Sequence, residues 1–403
     1  MGRIRTSITG VSTSTLCLFA AALCAASWST NAHAQTTSVN ARRFQPSTAP
    51  DSSLYLESSQ SPGTGEWNAG SWVSWAASPV TIRDANHDVV AKAVSSQLSM
   101  DIVGSIGLSK RISVGAHIPT VLYQRSDDNE AVASAVNDAR APTNLLQPFQ
   151  SPPQQAFGDI GITGKLTLLT YDEMGGLGLA AYGKVTAPTG KSNSFIAEGA
   201  PTGEFRILAD LNIIAATFRA TVGYKYRAEH RVLAQHTIGN EIPWGLGITL
   251  FPRAIGIDAE GRWAWTIESY GSLPTAPDAP FTNAAITPAI VAASARYQFA
   301  KDFTMTAGAE IPVSHAWTTP IVRAIVGVSW APRTEALNSE GIPTHVRKRG
   351  FLPEDDEDID DLGDELGVEP GAVNEQDRAQ ETTPDTASDA DSELPSVSTE
   401  DVD

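Results

Sequence analysis

Apolar and polar residues alternate along the middle of this chain with a period of two. In 97–108, Leu98, Met100, Ile102, Ile106 and Leu108 fall on one face, and Gln97, Ser99, Asp101 and Ser105 on the other. Such a run is a strand with one apolar and one polar face. The same pattern recurs in 112–118, 160–168, 177–186, 204–211, 218–227, 257–265, 291–299, 303–311 and 322–330. With 67–77 and 242–251 added, it predicts twelve strands. Helical periodicity fits none of them.

A soluble sandwich also alternates, so three further features decide the class. The runs are about 10 to 14 residues long, where a transmembrane strand needs about 9–11 and soluble strands cluster near 5–6. The connections alternate between short (109–110, 171–175, 215–216, 252–255, 300–302) and long (78–96, 125–156, 189–202, 228–240, 271–285), with 314–318 a modest last member of the long set. Outer-membrane barrels place short turns in the periplasm and long loops outside. Aromatics fall near both strand ends: Trp75, Tyr123, Tyr226 and Trp244 toward the long loops, and Phe218, Phe251, Phe299, Phe303 and Trp330 toward the short turns. This matches two interfacial girdles. The predicted fold is all-β: a transmembrane, antiparallel, up-and-down β-barrel of about twelve strands with both termini in the periplasm.

Composition then divides the chain. Arg3 and Arg5, the apolar run 16–26 and Ala32-His33-Ala34 read as a secretory signal over 1–34. Residues 35–65 are rich in Ser, Thr, Pro and Gly and are expected to be a lead-in. The barrel occupies 66–332. The net charge of -18 is concentrated in 333–403, which holds 22 acids and 5 bases and reads as a disordered acidic periplasmic tail. Both cysteines, Cys17 and Cys24, lie in the signal, so thiol chemistry is excluded from the rest.

Gly158-Asp159-Ile160-Gly161 opening one strand, Pro188-Thr189-Gly190 closing the next, and 219–227 (RATVGYKYR) resemble the amino-terminal barrels of large proteins in the outer-membrane protein A group. They are similar as well to barrels that serve as transporters of a phenol-degradation pathway. The resemblance spans roughly 50–332 and implies an outer-membrane barrel. Relatives in that group often continue into Asp-rich calcium repeats and a peptidoglycan-binding domain. The acidic tail here has no Asp-x-Asp-x-Asp-Gly repeat, so the resemblance does not extend to peptidoglycan anchoring.

No nucleophile, base and orienting group stand together in pattern, which argues against an enzyme and leaves no catalytic residue to name. No metal or cofactor motif appears, and the acidic run 354–361 reads as solvated. Nucleic-acid binding is disfavoured by charge and compartment. The expected partners are outer-membrane lipid and lipopolysaccharide, the barrel-assembly machinery during insertion, and a periplasmic partner for the tail.

The informative constellation is the polar face. Alternation directs Lys165, Lys184, Arg206, Arg219, Lys225, Arg227, Arg262, Arg296 and Arg323 inward, together with Asp101, Asp159, Glu204, Asp210, Asp258, Glu260 and Glu310. One reading is a narrow channel for passive diffusion of small polar or anionic solutes. The other is a set of cross-strand ion pairs that fill an anchoring barrel, whose loops or tail then bind a partner. Twelve strands lie between the filled eight-stranded and the open sixteen-stranded barrels. The loop 125–156 is a candidate constriction. The pattern shows no apolar patch on the inner face.

Overall fold

The computed structural model describes residues 39–49, 53–83, 88–127, 151–233, 236–275 and 284–332. Twelve long strands build the wall: β1 (Trp67–Arg83), β2 (Val89–Gly107), β3 (Ile112–Arg125), β4 (Ile160–Leu169), β5 (Leu177–Ala187), β6 (Thr202–Asn212), β7 (Ala216–Arg227), β8 (Glu241–Leu250), β9 (Trp263–Pro274), β10 (Ala289–Ala300), β11 (Phe303–Pro312) and β12 (Val322–Trp330). Each pairs antiparallel with its sequence neighbours. β1 also pairs with β12, from Ala69↔Trp330 to Ala77↔Val322, and this closes the sheet. Closure gives the wall strands internal partners on both sides, which a lipid-embedded backbone requires.

The pleat sorts side chains as the alternation predicts. Along β4, Ile160, Ile162, Leu166 and Leu168 point out, while Thr163, Lys165 and Thr167 are buried. The same outward apolar face runs around the molecule, with Ile162 55%, Val222 54% and Leu246 60% exposed. A water-soluble protein exposes contiguous apolar patches of only a few hundred Å². A continuous apolar belt on a closed barrel is instead the lipid-facing surface of an outer-membrane barrel.

At the short-turn end the aromatics meet one another. Trp67 packs edge-on to Trp330 with ring centroids 4.6 Å apart, Phe303 stacks on Trp330, and Phe299 tilts against Phe303. Phe251 departs from the expected girdle. It is buried at the start of the 3₁₀ turn Pro252–Ile255 and faces away from lipid.

Two boundaries differ from the sequence expectation. β1 and β2 run through much of the predicted loop 78–96, as strands of 17 and 19 residues. Val80, Ile82, Ala91, Ala93 and Val94 give that extension an apolar face, which packs with Ala41, Phe195 and Trp317. Ser78, at φ 48°, marks the bulge where the register shifts. In the other case, 257–262 alternates but is not strand. Asp258 accepts a hydrogen bond from the Trp263 amide at 2.7 Å and so ends the turn there. The strand begins at Trp263 and takes up residues assigned to the next loop. The signal at 1–34, the tail at 333–403 and most of 125–156 lie outside the described residues.

Candidate functional site: the lumen and the segment that fills it

The expected lead-in does more than run into β1. Its described residues enter the barrel and occupy the lumen, and Phe44, Leu54, Leu56, Ser58 and Ser59 are completely buried. This plug has no helix or strand of its own. Its buried amides therefore need side-chain partners, and carboxylates of the wall supply them. Glu268 on β9 accepts from the amides of Tyr55 at 2.8 Å and Leu56 at 3.1 Å. Asp210 on β6 accepts from the Ser59 amide at 2.8 Å and from the Tyr171 hydroxyl at 2.7 Å. The plug's carbonyls are met in the same way: Lys165 donates to Ser58 O at 2.9 Å and Thr167 to Ser59 O at 2.7 Å. Two arginines of the plug complete the attachment. Arg42 pairs with Asp101 on β2, and Arg43 reaches Glu241 on β8 at 2.8 Å.

The plug also has an apolar side. Phe44, Leu54, Tyr55 and Leu56 pack against Trp72, Val103, Tyr270, Ile290, Ala292 and Ile325, which point inward from β1, β2, β9, β10 and β12. Tyr55 and Tyr270 stack with centroids 3.9 Å apart, and Arg206 lies over the other ring system partner, Tyr55, at 5.1 Å. The inner wall thus carries an apolar arc, contrary to the charged interior read from the sequence. The cause is local. These residues sit at inward positions within strands whose neighbours are polar, so the average pattern conceals them. The plug itself had a signal in the sequence: an apolar group, Leu54-Tyr55-Leu56, inside a polar segment must be buried somewhere.

The structure distributes the predicted lumen residues as follows. Lys165, Lys184, Arg219, Arg227, Arg323, Asp101, Asp159, Asp210 and Glu310 are buried inside, with Arg206, Lys225 and Glu204 only slightly less so. Arg296 is half-buried on the inner face near the short turns. Asp258, Glu260 and Arg262 are not in the lumen. They lie in the turn before β9, where Arg262 and Glu260 pair at 2.6 Å with both side chains largely exposed. Glu241 and Glu268 face inward and were not predicted. Together with Glu57 of the plug and Glu198 of a loop they bring the interior close to charge balance.

That loop is 188–201, and it turns inward; the candidate constriction 125–156 lies mostly outside the described residues. Ser194, Phe195, Ile196, Ala197 and Glu198 are all buried. The Gly158-Asp159 and Pro188-Thr189-Gly190 motifs anchor it. Asp159 accepts from the Gly190 amide at 2.9 Å and the Glu198 amide at 2.6 Å, and Thr189 accepts from the Ile160 amide at 3.0 Å. Gly158 leaves room for the Ile196 carbonyl, to which an added Cβ would come within 2.7 Å. Glu198 pairs with Lys225 at 2.9 Å and Arg227 at 3.1 Å. Burial pushes the Glu198 carboxyl up, but Arg227 and then Lys225 more than reverse this and hold it at about 2.

A closed wall, an apolar belt outside and charged side chains inside now stand together. This is a membrane barrel of the outer-membrane type.

No family model matches the chain, and no curated protein does. Solved structures that align with it include the COG4313 outer membrane channel from Pseudomonas putida F1, at 9% identity and a TM-score of 0.49, covering 68% of this chain and 97% of that one. The KdgM porin in complex with disordered oligogalacturonate aligns at 5% identity and a TM-score of 0.37, over 65% of this chain and 98% of its own. The NanC porin aligns at 8% and 0.38, over 66% and 98%. Likenesses this distant decide nothing about what this barrel carries.

Open space remains beside the plug among the described residues. One cavity lies toward the short turns and is lined by hydroxyls, Trp72 and Arg296. Another lies toward the long loops, between the plug, β3, β5 and the inturned loop. In its wall His117 Nε2 meets Asp101 Oδ1 at 2.6 Å, and His117 Nδ1 meets Lys184 Nζ at 3.3 Å. The ammonium can only donate, so Nδ1 accepts and Nε2 carries the ring proton toward Asp101. Both nitrogens of His117 are thereby engaged with charged groups rather than with a hydroxyl.

Proposed function

We propose that this protein is a passive outer-membrane channel for small polar solutes, anions among them, and that its own N-terminal segment holds it closed. The observation that carries the reading is how the plug is attached. It is not a strand of the wall; hydrogen bonds, ion pairs and apolar contacts retain it. Such bonds exchange for water on release at a net cost of only about 0.5–1.5 kcal/mol each. Strand rhythm supports periplasmic termini, with the long loops outside.

A second reading is favoured by the plug itself: a filled barrel that anchors, with loops or the acidic tail binding a partner. Single-channel recording separates the two. The full chain is expected to show rare, small openings in a planar bilayer, and a variant lacking residues 39–61 large and sustained ones. Arg219→Glu, which also removes the bond from Arg219 to Ser53 at 2.8 Å, is expected to raise opening frequency and reduce anion preference. If the deletion variant inserts as a heat-modifiable barrel and passes no current, the channel reading falls and the anchor reading replaces it.

A further inference from the structure

We propose that the cavity on the long-loop side is a binding site for a small oxyanion, a carboxylate or a phosphate, held between Lys184 of β5 and Arg42 of the plug. This names a solute class for the channel reading, and rests on that reading only for the route by which the anion arrives.

The argument starts from pairing. Buried charges in proteins are paired, because an isolated ion loses its hydration without compensation. The carboxylates lining this cavity obey that rule. Glu198 is met by Lys225 and Arg227, Glu204 by Arg206, and Asp159 by two backbone amides. Lys184 does not. Its ammonium is buried, yet among the described residues it forms no ion pair. Its partners are neutral: Gln45 Oε1 at 2.6 Å and His117 Nδ1 at 3.3 Å. A Lys ammonium has three protons to place.

Arg42 is under-satisfied in the same place. One of its terminal nitrogens meets Asp101, but Nε and Nη1, both buried, find no hydrogen-bond partner among the described residues. Arg42 and Lys184 both line the cavity. Together they place under-satisfied donors of one sign in the wall of one cavity. A planar or tetrahedral oxyanion supplies the acceptors both lack, through charge-assisted bonds stronger than those to Gln45 or His117. The site is shared between wall and plug, since Arg42 and Gln45 belong to the plug. A bound anion therefore draws on two of the bonds that seat it.

The test is calorimetric titration of the full chain, refolded in detergent and checked by heat-modifiability, with sodium phosphate and separately with sodium acetate at fixed ionic strength. One saturable site is expected. Lys184→Met is expected to weaken it about tenfold or more, the value of a charged hydrogen bond. Gln45→Glu puts a carboxylate beside Lys184 and is expected to abolish binding while leaving the charge of the wall intact, so it serves even if Lys184→Met folds poorly. Arg262→Met, which removes an exposed cation of the turn before β9, is expected to leave binding unchanged. No saturable binding of either anion, or undiminished binding in Gln45→Glu, overturns the proposal. Binding in a protein that never conducts keeps the site and removes the channel; conduction without binding does the reverse.

Discussion

Glu198 and Gly158 show what single residues contribute to the inturned loop. Arg227 and Lys225 hold the Glu198 carboxyl at about 2, below the ordinary glutamate value of 4.5. A carboxyl depressed by folding adds stability above its unfolded pKa and loses it as pH falls toward the folded value. The loop is therefore expected to be fully seated at neutral pH and to loosen between about pH 4.5 and 2. Hydrogen-exchange protection factors of the amides of 194–198, taken against the intrinsic rate at each pH, read this; in Glu198→Gln protection should already be low at pH 7 and fall no further down to pH 3. Gly158→Ala places a methyl against the Ile196 carbonyl and Pro119. The expected loss is about 1–3 kcal/mol, seen as a lower melting temperature with the barrel otherwise intact. Phe195 contributes in the opposite sense. It is held at φ 59°, a region that bulky residues rarely adopt, and its burial against Val80, Ala91 and Trp317 offsets that strain.

The elements differ in how far the sequence reveals them. Wall strands are legible because period two is imposed by lipid on one side and a polar lumen on the other. β4 and β7 follow the pattern residue by residue. Strand ends are less so: 257–262 alternates without pairing, because Asp258 caps the Trp263 amide and fixes the turn. The plug was not legible as an element, since it has no periodicity; its partners are spread over β2, β4, β6, β8 and β9. Lys184 was readable as inward-facing, but its lack of a carboxylate depends on which residues surround it across strands. The plug's attachment gives a test at this scale. Glu268→Ala leaves the Tyr55 and Leu56 amides without acceptors, and Leu56→Ala removes apolar contact from a buried position that typically costs about 2–5 kcal/mol. Both are expected to increase opening frequency in single-channel recordings without changing the conductance of the open state, because neither alters the wall strands' pairing. A changed open-state conductance would place the effect in the wall instead.

For the whole molecule, the proposed orientation rests on the alternation of short and long connections and is open to direct test. A tag inserted within 125–156 is expected to be labelled on intact cells, and a tag after Val402 is not; labelling of the carboxy terminus on intact cells would reverse the topology. The enclosed plug has a further consequence, for the rate at which the barrel is made. Tyr55 bonds to Glu268 across 213 residues of chain, and Arg43 to Thr318 across 275. Contacts so distant in sequence make folding slow, because the chain must be ordered before they repay its entropy. The segment that enters the lumen is the one nearest the amino terminus, whereas the seam that shuts around it, β1 against β12, needs the last strand of the wall. A barrel lacking residues 39–61 is therefore expected to refold faster than the full chain, and a refolding rate unchanged by the deletion would show that the plug's contacts do not limit assembly.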